Sequence, residues 1–307
     1  MSKITKALEK AARERLEHRP PAYATTTPKT TELALAPLPA MATPEDAGTI
    51  HIDPHIVAAT DHQSPIAEQY RILRTNLQSL KHFTGPRTLV LTSAVHEEGK
   101  SVTAINLALT LAQQEGLRVL LIDADLRRST IHSWLGLDGT TGLSTVLSNG
   151  LDLDGAVVRL QSPPLAVLPA GPRHDRPAEL LESNAMKRLL ALLKTQYDVI
   201  IIDAPPILPV TDPGILGAQS DGVLLVVRAG KTQRTVVKQA LELLKHSKAK
   251  ILGSILTHVD YYIPGYYRYY HYYRYAPKDG NGHEGTKHKG QGTSKNMATP
   301  PVAASAS

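Results

Sequence analysis

The sequence predicts an α/β protein with a doubly wound, mostly parallel sheet that carries helices on both faces. Five runs are apolar almost throughout and rich in Val, Ile and Leu, and they lie near residues 88–92, 119–123, 198–203, 222–228 and 250–256. Helical patterns separate these runs. Strands without polar alternation are typical of a parallel sheet that is buried on both sides.

The composition indicates a globular protein with an ample core. The 307 residues include no cysteine, which excludes disulfides and thiolate metal sites. The formal net charge is +6, and the chain from residue 261 onward contributes +4 of it, as six Lys and Arg against two acidic residues. Such a weakly basic terminal segment indicates solvation rather than a nucleic-acid site.

The sequence carries no signal for membrane insertion. It has no run of about 18 apolar residues, and its first residues lack the apolar stretch of a signal peptide. We therefore expect a protein that stays in the cytoplasm unless a partner tethers it to the inner face of the cytoplasmic membrane.

The pattern along the chain predicts five segments: an amphipathic helix, a linker rich in Pro, Thr and Ala, a folded domain, a tyrosine cluster and a flexible tail. Their bounds are 1–18, 19–47, 48–260, 261–275 and 276–307. The first helix has two open interpretations, a solvated helix of marginal stability or a docking helix. The linker lacks the apolar residues for a core of its own.

Tyrosine is concentrated directly after the last predicted strand. Nine of the twelve tyrosines lie within residues 261–275. This run has neither the period of a strand nor that of a helix, and Pro264 and Gly265 add a turn signal, so we expect exposed rings. Exposed phenols suit three roles: phosphate acceptors, stacking platforms for bases, or an adhesive surface. The candidate acceptors are Tyr261, Tyr262, Tyr266, Tyr267, Tyr269, Tyr270, Tyr272, Tyr273 and Tyr275.

A phosphate-binding loop is predicted after the first strand, where the chain runs into Gly99, Lys100 and Ser101. The order strand, loop, Gly-Lys-Ser and helix is that of a P-loop, in which backbone N–H groups and a helix N-terminus hold phosphate oxygens. Lys100 is expected to reach the β- and γ-phosphates and Ser101 to ligate Mg²⁺. Ala94 stands where a first glycine is usual, and a positive φ at Glu97 would lower phosphate affinity. The predicted nucleotide-binding residues are Glu98, Gly99, Lys100, Ser101, Val102 and Arg127.

Two further strands end in carboxylates: Asp123 and Asp125 follow one, and Asp203 ends the other. Parallel strands deliver their carboxyl ends to one edge of the sheet, where ligands bind. A lone Asp after a strand is often only a helix cap, but convergence with Lys100 and Ser101 favours a site for Mg²⁺ and nucleotide. We predict Lys100, Asp123, Asp125 and Asp203 as catalytic residues and Ser101, Asp123 and Asp203 as metal ligands. Asp123 is also placed to take a proton from an incoming hydroxyl.

Three segments resemble the Walker A, Walker A′ and Walker B regions of the bacterial tyrosine kinases of capsule and exopolysaccharide production, the BY-kinases. These segments are residues 93–101, 121–128 and 201–212. The tyrosine cluster lies where that family carries its own substrate. Residues 2–11 are similar to the start of the exosortase-associated autokinases within the family.

A fourth resemblance concerns the helix predicted from about residue 64 to residue 82. Its Glu68, Arg71 and Arg74 resemble the Glu-x-x-Arg-x-x-Arg motif of the same family. The resemblance implies that these side chains assemble a homo-oligomeric ring. The spacing by itself predicts only ion pairs on a helix surface, each worth a few tenths of a kcal/mol.

The resemblance implies an ATP- and Mg²⁺-dependent protein-tyrosine autokinase. Such an enzyme phosphorylates its C-terminal tyrosine cluster, in trans within the oligomer, to regulate exopolysaccharide or capsule polymerisation and export. The implied partners are a transmembrane chain-length regulator that recruits and activates the kinase and a protein-tyrosine phosphatase, with no nucleic acid. Two positions depart from the family pattern: His96-Glu97 replaces Pro-Gly, and Thr257 stands where an Asn that helps to hold the base is frequent.

Three alternatives use the same fold. A MinD/ParA-like positioning ATPase shares the P-loop and the Asp-x-Asp strand end, but it needs a lysine where Val95 stands and has no use for a tyrosine-rich tail. A nucleic-acid-binding ATPase would stack bases on the tyrosines, yet the charge of the predicted core is nearly balanced. The third alternative is a structural protein whose P-loop has become inactive through Glu97.

Overall fold

The computed structural model describes residues 52–80, 87–150, 152–162 and 164–259. The amphipathic helix, the linker and the tyrosine cluster with its following tail lie outside these residues, so the predictions for them stay predictions.

The described chain builds a seven-stranded sheet in the order β3-β4-β2-β5-β1-β6-β7. The six strands other than β3 pair in parallel, and β3 pairs with β4 in the antiparallel sense. The strands are β1 Arg87–Ser93, β2 Val119–Asp123, β3 Val158–Arg159, β4 Ala166–Leu168, β5 Val199–Asp203, β6 Gly222–Arg228 and β7 Ile251–Thr257. The predicted fold class, a doubly wound and mostly parallel sheet, is confirmed.

All five predicted strands are present, with ends that differ from the prediction by one residue at most. The sequence did not predict β3 and β4, because two and three residues are too few to show a period. These two short strands extend the sheet on the side away from β7.

The helices lie between the strands along the chain, as a parallel sheet requires. The described helices are α1 Val57–Thr60, α2 Pro65–Ser79, α3 Lys100–Ala112, α4 Ile131–Leu135, α5 Leu143–Asn149, α6 Leu153–Ala156, α7 Pro177–Glu182, α8 Asn184–Gln196, α9 Asp212–Ala218 and α10 Arg234–His246. Helix α2 begins where the sequence predicted, because the Ser64 hydroxyl accepts the Ala67 N–H and Pro65 occupies the first helical position.

Two apolar clusters fill the two sides of the sheet. Alternate residues of each central strand point to opposite faces, so Ile200 and Ile202 belong to one cluster and Ile201 to the other. One cluster takes in the apolar sides of α8 and α10, and the other is dominated by α3, with α1 and α2 behind it. Helix α3 follows β1, so it begins at the carboxyl edge of the sheet, and its apolar side packs in the second cluster.

Within the described residues, no helix combines the length and the apolar composition needed to span a lipid bilayer.

Candidate active site

The phosphate loop leaves β1 at Ser93 and returns to regular structure at Lys100, the first residue of α3. Gly99 is the N-cap, with φ at 85°, in the left-handed region that favours glycine. The free N–H groups at the start of this 13-residue helix face the carboxyl edge of the sheet, and helix N-termini attract anions. The loop thus has the local geometry of a P-loop.

Glu97 adopts the positive φ that the sequence analysis flagged as a possibility. Its φ is 61°, a left-handed conformation that costs a residue with a side chain about 1–2 kcal/mol. Two cations lie close to it: the Arg228 guanidinium donates to the Glu97 carbonyl at 3.4 Å, and Lys231 Nζ lies 3.3 Å from the carboxylate. Both contacts come from β6 and the turn that follows it.

Glu98 is buried, and its carboxylate is directed into its own loop. One oxygen accepts the N–H groups of Ala94 and Val95 at 2.7 and 3.1 Å, and the other accepts the Thr232 hydroxyl. The backbone carbonyl of Glu98 accepts a hydrogen bond from Thr257 Oγ1 at 2.8 Å. The Glu98 side chain therefore organises the loop, and the sequence-based assignment of Glu98 to nucleotide binding stays a prediction.

Lys100 lies at the centre of the site, its side chain only 12% exposed. Its Nζ is 3.2 Å from Asp125 Oδ2, 3.4 Å from both carboxylate oxygens of Asp203, and donates to Ser101 Oγ at 3.0 Å. Burial by itself disfavours the charged amine, but the carboxylates outweigh this effect and raise the pKa of Lys100. The structure thus brings together Lys100, Ser101, Asp125 and Asp203, as predicted from three separate strand ends.

Asp123 and Asp203 are fully buried neighbours in the sheet. They stand opposite each other in the parallel register of β2 and β5. Burial raises the pKa of Asp123 to about 8, and the charge of Asp203 adds to this shift. Burial also raises the pKa of Asp203, against the opposing charge of Lys100. Two carboxylates this close and this dry are costly unless a cation lies beside them.

Backbone donors fix the orientation of the Asp123 carboxylate. One oxygen accepts the Asp125 N–H at 3.1 Å, and the other accepts the N–H groups of Thr130 and Ile131, both at 3.2 Å. Asp125 in turn accepts the Arg128 N–H at 3.0 Å. The turn after β2 is therefore shaped around its two carboxylates.

Arg127 makes a bidentate ion pair with Asp212 at 2.8 and 3.0 Å. Asp212 is fully buried at the start of α9, so the pair ties the turn after β2 to the loop after β5. Arg127 was predicted to bind nucleotide. In the structure its guanidinium lies on Asp212, and Val102 packs partly against the core. The assignment of both residues to nucleotide binding stays a prediction.

The donor set fits a Mg²⁺ ion. Ser101, Asp123 and Asp203 have hard oxygen atoms, which Mg²⁺ prefers as ligands. No group of three or more His, Cys, Asp and Glu side chains in the described chain has the arrangement of a metal cage. A Mg²⁺ ion in a nucleotide site needs no such cage, because water and phosphate oxygens fill most of its positions.

The residues predicted to form the oligomer lie on α2 and make contacts within the chain. Arg71 donates to the Glu68 carboxylate at 2.6 Å and to the His62 carbonyl at 2.9 Å. Arg74 donates to the Thr110 carbonyl of α3 at 2.9 Å. Two of the three side chains are therefore a partly buried ion pair on one helix, and the third connects α2 to the helix that follows the phosphate loop.

Sequence analysis missed the roles of Thr232 and Thr257 at the loop. They lie 134 and 159 residues away from Glu98 along the chain, and a lone threonine after a strand carries no pattern. The position of Thr257 after the last strand was noted only as a place where Asn is frequent.

The fold and the loop define a P-loop nucleotide-binding protein, and residues 97–256 match the AAA domain family. The similarity to individual proteins is more specific. Tyrosine-protein kinase YwqD of Bacillus subtilis is 42% identical over 219 residues, which are 69% of this chain and 91% of that protein. Tyrosine-protein kinase CpsD of Streptococcus agalactiae is 38% identical over 208 residues, which are 67% of this chain and 89% of that protein.

Comparison with solved structures shows the same similarity. The kinase domain of Escherichia coli tyrosine kinase ETK is 30% identical with a TM-score of 0.62, covering 66% of this chain and 78% of that one. The chimerical protein CapA2B2 is 32% identical with a TM-score of 0.63, covering 67% of this chain and 91% of that one. The chain therefore belongs to the bacterial tyrosine kinases, and its enzyme class is protein-tyrosine kinase.

Proposed function

We propose that this chain is a Mg·ATP-dependent tyrosine autokinase whose main phosphate acceptors are the tyrosines of residues 261–275. The observation that carries the proposal is the position of Lys100, whose Nζ lies between the phosphate loop and the carboxylates of Asp125 and Asp203. A cation placed beside hard oxygen ligands at a helix N-terminus is suited to hold a transferring phosphoryl group.

In the proposed reaction, the tyrosine oxygen forms a bond to the γ-phosphorus as the bond between the β- and γ-phosphates breaks and ADP leaves. Lys100 neutralises charge on the transferring group, and Asp123 takes the phenolic proton. Burial raises the pKa of Asp123 to about 8, so the carboxylate can accept this proton only where neighbouring cations such as Lys100 keep it ionised. Ser101, Asp123 and Asp203 would hold Mg²⁺, which supplies charge neutralisation when bound.

The exit point of the chain supports the tyrosine cluster as substrate. Strand β7 is parallel to its neighbour β6 and ends at Thr257, whose hydroxyl contacts the phosphate loop directly. The first tyrosine of the cluster, Tyr261, follows four residues later. Fifteen extended residues span at most roughly 50 Å, which suffices to reach the active site of a neighbouring subunit in a ring. We propose phosphorylation in trans on this basis.

The remaining parts of the proposal rest on the family resemblance. They are ring assembly through Glu68, Arg71 and Arg74, activation by a transmembrane chain-length regulator at the inner face of the membrane, reversal by a protein-tyrosine phosphatase, and control of exopolysaccharide or capsule export. Phosphorylation adds about −1.5 to −2 charge per tyrosine, so three phosphotyrosines exceed the +4 of the terminal segment. Mutual repulsion then favours dissociation of the ring.

Phosphotyrosine formation by the purified chain with Mg·ATP tests the kinase proposal. Lys100→Met should abolish the signal, whereas Lys238→Met, the same change at an exposed position of α10, should preserve it. Replacing all nine cluster tyrosines with Phe should remove most of the incorporated phosphate. Undiminished labelling in Lys100→Met would exclude the loop from the mechanism, and undiminished labelling in the Phe variant would exclude the cluster as the main substrate.

Light scattering tests the assembly. Because Arg74 also fastens α2 to α3, the informative variant changes only Glu68 and Arg71 to Ala, with Arg74→Ala examined separately. The double variant should lower the mass of the particle and its autophosphorylation. An unchanged mass would leave these residues as a surface ion pair.

A further inference from the structure

Two threonine hydroxyls hold the phosphate loop from outside. Thr232, in the turn between β6 and α10, donates to the Glu98 carboxylate, and Thr257, the last residue of β7, donates to the Glu98 carbonyl at 2.8 Å. Both threonines are partly buried. The side chain and the backbone of one loop residue are thus fastened to two different elements.

The loop has a physical need for this support. Glu97 occupies a left-handed conformation without being glycine, which favours any alternative loop shape that releases it. The Glu98 carboxylate opposes such a change, because it holds the N–H groups of Ala94 and Val95 at the start of the loop. Because Glu98 is buried, leaving its other oxygen without a partner would be costly, and the Thr232 hydroxyl donates to that oxygen.

We propose that Thr232 and Thr257 are positioning residues that hold the phosphate loop in its nucleotide-binding shape. They act through Glu98 and have no contact of their own with Lys100 or with the carboxylates of the site among the hydrogen bonds of the described residues. Their effect therefore falls on nucleotide affinity rather than on the chemical step. The inference rests on the proposed function, since it takes ATP as the ligand.

Thr→Val isolates the hydroxyl at each position. Valine keeps the branched shape, and the Thr257 methyl group, which lies 3.5 Å from the place where a Cβ of Gly99 would be, is retained. Thr→Ser does the opposite, because it keeps the hydroxyl and removes the methyl group. Thr195→Val is the matched control: Thr195 is an exposed threonine on α8 whose hydroxyl donates to the Leu192 carbonyl of its own helix.

The test uses the full chain and three measurements: calorimetric binding of a non-hydrolysable ATP analogue with Mg²⁺, the KM and kcat of phosphotyrosine formation, and hydrogen exchange of the loop amides without nucleotide. A net hydrogen bond corresponds to about 2- to 10-fold in affinity, and one to a carboxylate to 10-fold or more. We expect Thr257→Val to raise Kd and KM about 3- to 10-fold and Thr232→Val about 10-fold. In both variants kcat should stay within about twofold, and the Ala94 and Val95 amides should exchange faster.

Rescue by serine separates positioning from general destabilisation. The Ser variants should restore Kd and KM, and Thr195→Val should match the unchanged chain in all three measurements. Unchanged Kd and KM in both Val variants, a loss in kcat alone, or equal defects in the Val and Ser variants would each overturn the inference. If the unchanged chain binds no ATP analogue and forms no phosphotyrosine, the proposed function fails instead. Hydrogen exchange of the loop amides would then still decide whether the two threonines hold the loop in place.

Discussion

Three strands, the central β2 and β5 and the edge strand β7, each end in a residue of the proposed site at the same edge of the sheet. The environments of these strand ends differ. Every residue of β2 and β5 is buried, whereas β7 is partly exposed along its length and its Leu256 is 59% exposed. The central pair ends in two carboxylates, and β7 ends in a threonine hydroxyl on the phosphate loop. The two carboxylates thus lie on strands that are packed on both faces and therefore have little freedom to move.

The edge strand has fewer constraints. It pairs only with β6 in the described chain, and its register shifts between Val223 and Leu224. Strands at a sheet edge tolerate such irregularity because one side of the backbone is free. A position of this kind suits the proposed roles of Thr257 as a support for the loop and of the following tyrosines as substrate, since neither requires the fixed geometry of a carboxylate pair.

The largest expected effect is at the end of a central strand. Asp203→Asn should lower the rate of phosphotyrosine formation by about 100-fold or more, because a neutral amide replaces a charged oxygen ligand beside Lys100. Folding should persist, since the substitution removes a buried charge without changing volume.

The matched control for that variant is Asp198→Asn at the other end of the strand, where Asp198 pairs with Arg118 in a largely exposed contact. Its rate should stay within about twofold of the unchanged chain. Initial rates measured by phosphotyrosine antibody under saturating Mg·ATP decide the comparison. Equal rates for the two variants would contradict the special role of the central pair.

The difference in packing predicts a difference in stability. Ile201→Ala removes a fully buried side chain from the centre of β5 and should lower the free energy of unfolding by about 2–5 kcal/mol. Leu256→Ala on β7 should cost less than about 1 kcal/mol, because much of that side chain is already in water. Urea unfolding followed by circular dichroism measures both. Similar costs would show that β7 is as tightly packed as the central strands.

The smallest effect is expected at Glu97, on the side of the loop that faces the β6–α10 turn. Glu97→Gly relieves the left-handed strain and removes a negative charge near the phosphate site, so KM for ATP should fall about 2- to 5-fold. The lost exposed contact with Lys231 contributes little. Glu97→Gln keeps the strain and removes the charge, and an identical KM for the two variants would attribute the whole effect to charge.

The length of a strand, rather than its place at the centre or edge of the sheet, decides whether the sequence predicts it. Apolar runs predict the five long strands, and the order of strand, Gly-Lys-Ser and helix predicts the phosphate loop. The convergence of Asp123 with Asp203 follows because parallel strands have their carboxyl ends at one edge of the sheet. Strands β3 and β4 are too short for a period, and they were not predicted.

Contacts between distant loops were also beyond prediction. The Arg127 side chain pairs with Asp212, 85 residues away in sequence. Thr232 and Thr257 contact Glu98 across 134 and 159 residues of sequence. Such pairings depend on how loops of unrelated sequence come together at the sheet edge. They leave no periodicity in the sequence. The positive φ of Glu97 was considered as a possibility, and the structure shows it.

The one-to-one register of β2 and β5 limits how related chains can change in length. Residues 119–123 pair with residues 199–203 without a bulge, and neighbouring side chains alternate between the two faces of the sheet. Deleting a single residue inside β5 would turn Asp203 toward the opposite face and place Ala204 in its position beside Lys100. Insertions and deletions during evolution should therefore collect in the connections near β3 and β4, while the spacing within the two central strands stays fixed.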